Sequence, residues 1–174
     1  MVKMIIMDLD KTLLNDDNNI SNYTLSILDK CKNKGIKIGL ATSRSKLSAK
    51  EIIALVKPDF SILNDGALIL NGKNEIIYNK LLSWETLNEI NDEYMENMNI
   101  GKMSAIEIIS KDQNISLSEI AAFGDEYNDI EMIKKCGIGV AMENGIDEVK
   151  SIAKYMCGKN NNDGVGKWIE ENIL

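Results

Sequence analysis

Short, continuous apolar runs separated by longer mixed segments are the main pattern of this chain. Met4 to Met7 is apolar at every position, which is typical of a parallel strand buried on both faces. Two further strands are predicted from Ile36 to Ala41 and from Phe60 to Leu63, which are apolar except for Lys37 and Ser61. Each run is long enough for a strand and too short for a helix of ordinary length. The first third of the chain therefore predicts three buried strands.

The segments between these runs predict helices. Ser21 can cap a helix in which apolar residues recur at helical spacing, and Gly35 ends it. A second helix is predicted from Ser45 to Val56, and Pro58 stops it. Strands and helices thus alternate along residues 4–63.

The middle of the chain has a different pattern. Ala67 to Leu70 and Glu75 to Tyr78 flank Asn71-Gly72, a dipeptide that is typical of β-hairpin turns. Leu82 to Met98 follows as an acidic amphipathic segment and predicts a helix. We therefore expect a hairpin and one helix here.

Alternation resumes in the last third of the chain. The pattern predicts helices at Ser104 to Lys111, Asn128 to Lys135, Asp147 to Lys154 and Val165 to Asn172, and strands at Ile120 to Phe123, Ile138 to Ala141 and Tyr155 to Met156. Such alternation favours the α/β class: an open, doubly wound, mostly parallel sheet with helices on both faces. We assign residues 1–66 and 102–174 to this core and residues 67–101 to a hairpin and helix insert.

The ionisable residues exclude several classes of function. The chain has 20 Lys and Arg against 27 Asp and Glu, a net charge of −7, so its surface repels nucleic acid in general. It has no His, which excludes Ser-His-Asp and Cys-His catalysis and His-ligated metals. Its chemistry must therefore use carboxylates, hydroxyls, amines or a hard metal ion.

Cysteine use and hydropathy predict a cytoplasmic protein. Cys31, Cys136 and Cys157 are widely spaced, lack CxxC pairing and are interpreted as reduced core thiols. Residues 1–10 contain acids and too short an apolar run for a signal peptide. No apolar stretch approaches the roughly 18 residues that a membrane span needs, so we expect no membrane contact.

Polar residues follow the predicted strands. These residues are Asp8, Asp10 and Thr12; Thr42, Ser43 and Arg44; Asn64 and Asp65; and Asp125, Asn128 and Asp129. The carboxyl ends of parallel strands meet at one sheet edge, where ligands of such folds bind. The all-oxygen donors of the acids suit Mg²⁺, and Thr42, Arg44, Lys102 and Asn128 add donors for a phosphate.

Each of these residues also has an ordinary structural interpretation. An acid just after a strand is often a helix cap, as Asp125 or Asp129 taken alone would be. Lys102 alone is typical of a solvated lysine, and Arg44 alone of a surface ion pair. Independent caps do not explain why so many acids follow strands of the same predicted sheet. The pattern as a whole therefore indicates a metal and phosphate site.

The motifs resemble those of the haloacid dehalogenase (HAD) superfamily of phosphohydrolases, and within it the Cof-like type IIB subclass. The matching segments are Asp8, Asp10 and Thr12 for DxDxT; Thr42-Ser43-Arg44 for Thr-Gly-Arg; Asp65-Gly66-Ala67 for Asn-Gly-Ala; Gly124, Asp125, Asn128 and Asp129 for GDxxND; Gly139 to Met142 for GVAM; and Asp163-Gly164-Val165. Lys102 stands at the place of the family lysine. All of them occur in family order and cover nearly the whole chain.

The resemblance implies a Mg²⁺-dependent phosphatase that acts on a small phosphorylated metabolite. It implies that Asp8 is the nucleophile, which forms an aspartyl-phosphate, and that Asp10 is the general acid and base. The implied phosphate-binding residues are Thr42, Ser43, Arg44, Lys102 and Asn128. The implied Mg²⁺ ligands are Asp8, Asp10 through its backbone carbonyl, Asp125 and Asp129.

The chain departs from the family pattern chiefly in its insert. Ser43, Asp65 and Met103 replace the family's Gly, Asn and Gly, and these are small changes. Cof-like proteins carry a sizeable α/β cap that covers the site and selects the substrate, whereas this chain has only residues 68–101 at that place. A homo-oligomer whose neighbour covers the open site, a bulky substrate, or an internally deleted product of weak activity would each account for this.

Two other functions stay open beside the phosphatase. A cap-deleted relic with little or no activity could bind phosphate or a protein partner. A phosphomutase is a lesser variant, because its intermediate needs a lid against water.

Overall fold

A single eight-stranded sheet organises the computed structural model, which describes residues 1–80 and 100–174. The strands are β1 (Met4–Met7), β2 (Lys37–Ala41), β3 (Phe60–Leu63), β4 (Leu68–Asn71), β5 (Ile76–Asn79), β6 (Ile120–Gly124), β7 (Ile138–Met142) and β8 (Tyr155–Cys157). Their order is β5-β4-β3-β2-β1-β6-β7-β8. The neighbouring strands β3, β2, β1, β6, β7 and β8 run parallel to one another. At the other side of the sheet, β4 pairs antiparallel with β3, and β5 pairs antiparallel with β4.

Helices cover both faces of the sheet. They are α1 (Asn22–Asn33), α2 (Lys50–Val56), α3 (Lys102–Gln113), α4 (Ile130–Lys135), α5 (Asp147–Ile152) and α6 (Gly164–Asn172). Alternate residues of a strand point to opposite faces. Ile5 and Met7 of β1 therefore join the core shared with α1 and α6, and Met4 and Ile6 join the core shared with α3 and α4. The predicted doubly wound α/β fold is confirmed.

The local signals of α1 are confirmed. The Ser21 hydroxyl accepts a hydrogen bond from the backbone N–H of Thr24 at 3.0 Å, as an N-cap does. Ile27, Leu28 and Cys31 are buried against the sheet. Cys31, Cys136 and Cys157 are all buried and form no disulfide, as predicted.

The prediction for α2 is wrong at its N-terminal half. The helix begins at Lys50 instead of Ser45, and turns precede it. The Ser45 hydroxyl accepts from the backbone N–H of Ser48 at 3.3 Å, and its carbonyl accepts from Ala49 at 3.0 Å. These two bonds are those of an N-cap and of one helical turn, but the next one departs from the α-helical pattern, because the Lys50 N–H donates to the carbonyl of Leu47, three residues back, at 3.4 Å.

The predicted hairpin is present, and its two strands extend the core sheet. The Asn71 side-chain oxygen accepts from the backbone N–H groups of Lys73 at 2.9 Å and Glu75 at 3.0 Å, which closes the turn. β5 then returns the chain towards the carboxyl edge of the sheet, because it runs antiparallel to β4. The helix predicted from Leu82 to Met98 lies outside the described residues. The part of the chain that the structure describes contains no helix able to cross a membrane.

Candidate active site

The end of β1 places Asp8 at the centre of the sheet's carboxyl edge. Its backbone N–H donates to the carbonyl of Phe123 on β6 at 3.0 Å, so the strand pairing continues up to this residue. The residue is only 6% exposed. The chain then turns through Leu9–Leu13, where Lys11 has a left-handed φ of +58°. This turn directs the Thr12 hydroxyl onto the Asp125 carboxylate, at 2.6 Å.

Lys102, the first residue of α3, lies between two buried carboxylates. Its ammonium donates to Asp8 Oδ1 at 2.6 Å and to Asp129 Oδ1 at 2.7 Å, and the residue is 2% exposed. Asp129 Oδ2 accepts from the backbone N–H groups of Asp125 at 3.0 Å and Glu126 at 3.1 Å. Asp129 is therefore both a cap of the turn after β6 and a partner of Lys102.

Asp8, Asp125 and Asp129 form a buried acidic cluster. Each offers a carboxylate oxygen, and these oxygens lie within 4.8 Å of one another. Burial raises the pKa of Asp8 to about 8 and the pKa of Asp125 to about 6, although Lys102 and Thr12 respectively oppose the rise. Burial alone would lower the pKa of Lys102, but Asp8 and Asp129 outweigh it and raise that pKa.

The cluster fits a divalent cation. If all three carboxylates were ionised, one ammonium would leave a net charge of −2 in a buried place, which is unfavourable without a further cation. The donors are all oxygen atoms, the ligand type that Mg²⁺ prefers. The three predicted metal-binding acids that lie together could therefore hold such an ion.

Asp10 stands apart from the cluster and pairs with Arg44. The Arg44 Nε donates to Asp10 Oδ2 at 3.0 Å and its Nη2 donates to Asp10 Oδ1 at 2.5 Å. The same Nη2 donates to the side-chain oxygen of Asn18 at 2.9 Å. The guanidinium predicted to bind phosphate thus contacts the carboxylate predicted to act as general acid and base.

The other predicted phosphate-binding residues lie on the loops after β2 and β6. Thr42, directly after β2, is fully buried, and its hydroxyl accepts from the backbone N–H of Arg44 at 3.1 Å. Ser43 is exposed on the same loop. Asn128 donates through its side-chain N–H to Asp65 Oδ1 at 2.9 Å. This last contact joins the loop after β3 to the loop after β6.

Gly66 packs the end of β3 against the start of α3. Its φ is +100°, and a Cβ built there would lie 2.3 Å from the carbonyl oxygen of Gly101, the residue before Lys102. We expect Gly66→Ala to lower the free energy of unfolding by about 1–3 kcal/mol more than Gly35→Ala, because of the two added Cβ atoms only the one at residue 66 would collide with the backbone. Gly35 has a φ of +78°, and a Cβ added there would have no atom within 4 Å, so Gly35→Ala isolates the dihedral strain.

Urea denaturation of both variants measures this difference. Equal losses in the two proteins would mean that the close contact of Gly66 with Gly101 contributes nothing beyond backbone strain.

Sequence reasoning missed two asparagines beside the site. Asn18 accepts from Arg44, and nothing in its Asn-rich loop distinguished it. The Asn144 side-chain N–H donates to the Lys11 carbonyl at 2.7 Å, and its oxygen accepts from the Asn160 backbone at 2.9 Å. Asn144 thereby ties the turn that carries Asp10 to the loops after β7 and β8. Its position soon after a strand was a signal that could have found it.

A family model described as haloacid dehalogenase-like hydrolase matches residues 5–99 and 93–169 of this chain. The 5-amino-6-(5-phospho-D-ribitylamino)uracil phosphatase YcsE of Bacillus subtilis is 25% identical over 240 aligned positions. That alignment covers 99% of this chain and 96% of YcsE. It is longer than the 174 residues of this chain, so YcsE has residues without a counterpart here.

Solved structures share the fold. A haloacid dehalogenase-like hydrolase from Bacteroides thetaiotaomicron matches with a TM-score of 0.88 at 20% identity, covering 98% of this chain and 99% of its own. The sugar phosphatase BT4131, of HAD subclass IIB, matches with a TM-score of 0.81 at 21% identity and covers 98% of both chains.

Proposed function

The chain belongs to the haloacid dehalogenase-like hydrolase family as a phosphatase, and on that premise we propose that it uses Mg²⁺ to hydrolyse a small phosphorylated metabolite. The predicted resemblance to the haloacid dehalogenase superfamily is confirmed by the family model, and the chain's neighbour in fold BT4131 is a sugar phosphatase of HAD subclass IIB. The observation that carries the proposal is the contact of Lys102 with Asp8 and Asp129 beside Asp125, deep in the carboxyl edge of the sheet.

Asp8 is the proposed nucleophile. One of its carboxylate oxygens forms a bond to phosphorus while the ester P–O bond breaks, and Asp10 gives a proton to the leaving oxygen. A water then loses a proton to Asp10 and attacks the aspartyl-phosphate, which releases phosphate and restores Asp8. Arg44 holds the Asp10 carboxyl through two hydrogen bonds, so it orients the group that moves the proton.

The phosphoryl oxygens have cationic and polar donors around them in this proposal. The ammonium of Lys102 neutralises the negative charge of Asp8. This reduces the repulsion between the Asp8 carboxylate and a dianionic phosphate. The remaining proposed phosphate-binding residues are Thr42, Ser43, Arg44 and Asn128. Asp8, Asp125, Asp129 and the backbone carbonyl of Asp10 would hold Mg²⁺, which when bound supplies positive charge to the nucleophile and the phosphate.

We further propose that residues 67–101 are an insert that replaces the family's cap between the core segments 1–66 and 102–174. The hairpin strands β4 and β5 of this insert extend the core sheet, so only the part after β5 could cover the site. The family model matches in two pieces that meet at residues 93–99, inside this segment, and the longer alignment with YcsE agrees with a missing stretch. A second copy of this chain could then cover the open site. A cytoplasmic location accords with a small phosphorylated substrate and with three free, buried thiols.

Hydrolysis of p-nitrophenyl phosphate with Mg²⁺, and after its removal by EDTA, tests the proposal. We expect turnover that requires Mg²⁺ and returns when Mg²⁺ is restored. Turnover unaffected by EDTA would contradict the metal assignment. Absence of turnover under all conditions would favour the relic that binds phosphate or a partner without catalysis.

The affinity for Mg²⁺ is expected to rise between pH 5 and pH 8. The pKa values of Asp125 and Asp8 are raised to about 6 and about 8, so protons compete with the cation at lower pH. Each displaced proton increases the affinity up to about tenfold per pH unit. Calorimetric titration in two buffers of different ionisation heat measures the protons released. A constant affinity across this range would contradict these ligands.

A further inference from the structure

The carboxylate of Asp65 is a negative charge at the edge of the proposed phosphate site. Its hydrogen-bonding partner is the neutral side-chain amide of Asn128, at 2.9 Å. The two cationic side chains described above are held by other acids, Lys102 by Asp8 and Asp129 and Arg44 by Asp10. The charge of Asp65 is thus balanced by no cation in direct contact among the described residues.

The backbone fixes where this carboxylate lies. Asn64 and Asp65 have left-handed φ values of +49° and +52°, which Asn and Asp adopt more readily than most residues. The Asp65 N–H donates to the carbonyl of Thr42 at 3.1 Å, and the next residue, Gly66, packs against Gly101. The turn that carries Asp65 is therefore held in position by a hydrogen bond to Thr42 on one side and by packing against the start of α3 on the other.

The geometry of the Asn128 amide gives the distance between the Asp65 carboxylate and a phosphate bound to the same amide. The amide nitrogen of Asn128 has two N–H groups, and one of them is donated to Asp65. A phosphoryl oxygen on the second N–H would lie about 5 Å from the Asp65 carboxylate, given ordinary hydrogen-bond geometry. Like charges at that distance repel appreciably at the edge of a protein.

We propose that the Asp65 carboxylate weakens the binding of inorganic phosphate at the proposed site and so speeds phosphate release after hydrolysis. The inference rests on the proposed function for the place of the phosphate. The carboxylate has two opposite effects, since it orients the Asn128 amide and also repels the anion that this amide binds. Replacing its charge while keeping its shape separates the two effects.

Two variants of Asp65 make this separation. Asp65→Asn keeps a side-chain oxygen for the Asn128 amide and tolerates the left-handed backbone, but it removes the charge. Asp65→Ala removes both the charge and the hydrogen bond. Asp147→Asn is the matched control, because the side chain of Asp147 on α5 is 99% exposed.

The dissociation constant of inorganic phosphate, measured by calorimetry in the presence of Mg²⁺, is the first readout. We expect Asp65→Asn to bind phosphate about fivefold to tenfold more tightly than the natural chain at low salt, and the gain to shrink near 1 M salt. Asp65→Ala should gain less, because Asn128 loses its partner, and Asp147→Asn should not differ. Inhibition of p-nitrophenyl phosphate hydrolysis by orthovanadate should follow the same order.

Binding and turnover distinguish this inference from the proposed function. Unchanged or weaker phosphate binding by Asp65→Asn overturns the role of Asp65, even if hydrolysis is normal. Tighter binding by Asp65→Asn supports that role even in a protein without turnover, in which case the phosphatase mechanism alone fails. Absence of measurable phosphate binding in both proteins also overturns the inference.

Discussion

The Asp8→Asn variant is expected to lose turnover of p-nitrophenyl phosphate by about 10⁴-fold or more, while the protein stays folded. Asparagine has nearly the shape of aspartate, but its amide is not a nucleophile that can form an acyl-phosphate. The side chain still faces Lys102, whose second partner Asp129 is unchanged. The natural chain, Asp8→Asn and the exposed control Asp147→Asn are compared for hydrolysis at saturating Mg²⁺.

Stability measurements on the same variant separate a chemical role from a structural one. The pKa of Asp8 is about 4 in the unfolded chain and about 8 in the folded protein. As the pH rises from about 4 to about 8, the folded protein therefore becomes less stable, because ionising Asp8 costs more in the folded state. Without Mg²⁺, Asp8→Asn should therefore be at least as stable as the natural chain at pH 8. Full activity in Asp8→Asn would contradict the nucleophile assignment, and loss of activity together with unfolding would be read as structural damage.

The Lys102→Met variant is expected to lower the free energy of unfolding by about 3–5 kcal/mol at pH 8 and to abolish turnover. Methionine has a flexible apolar side chain of similar length, so it can fill the space without a large cavity. What it removes is the ammonium between Asp8 and Asp129, which are 6% and 0% exposed. Two carboxylates would then face each other in a buried place without their shared cation.

The loss in Lys102→Met should be smaller at pH 5 than at pH 8. Lys102 opposes the rise in the pKa of Asp8 to about 8, so without the ammonium that pKa rises further. Asp8 is then protonated at pH 5, and its repulsion of Asp129 is relieved. Mg²⁺ should restore part of the stability at pH 8 if the cluster binds it. Urea denaturation at both pH values, with and without Mg²⁺, measures this.

Lys135→Met is the control for Lys102→Met. Lys135 is 47% exposed and pairs with Glu131 one helical turn away, so its loss should change stability by less than about 1 kcal/mol. An equal loss in Lys102→Met at pH 5 and pH 8 would show that repulsion between the acids is not its cause.

Local patterns predicted most of the elements. β1 is apolar along its whole length and is buried on both faces, and the serine before α1 caps it through a hydrogen bond three residues away. Such signals depend on neighbours in sequence, so they can be found without knowing the fold. The prediction for α2 failed at its start, where the Lys50 N–H bonds to Leu47 three residues back and the first turn is irregular.

The sequence by itself determined the fold class, the strand ends and the family. It also determined that Asp8, Asp125 and Asp129 lie at one sheet edge, because the carboxyl ends of parallel strands share an edge. The structure shows these three acids within reach of a single ion.

Only the tertiary structure decided which polar groups pair. Arg44 holds Asp10 across 34 positions of sequence, Asp65 holds Asn128 across 63, and Asn144 holds the turn at Lys11 across 133. Pairing of this kind depends on strand order and on the dihedral angles of the turns, which place two side chains in hydrogen-bonding contact or several ångströms apart. A composition of acids, amides and cations identifies the kind of site, and the geometry of the folded chain assigns each charge its partner.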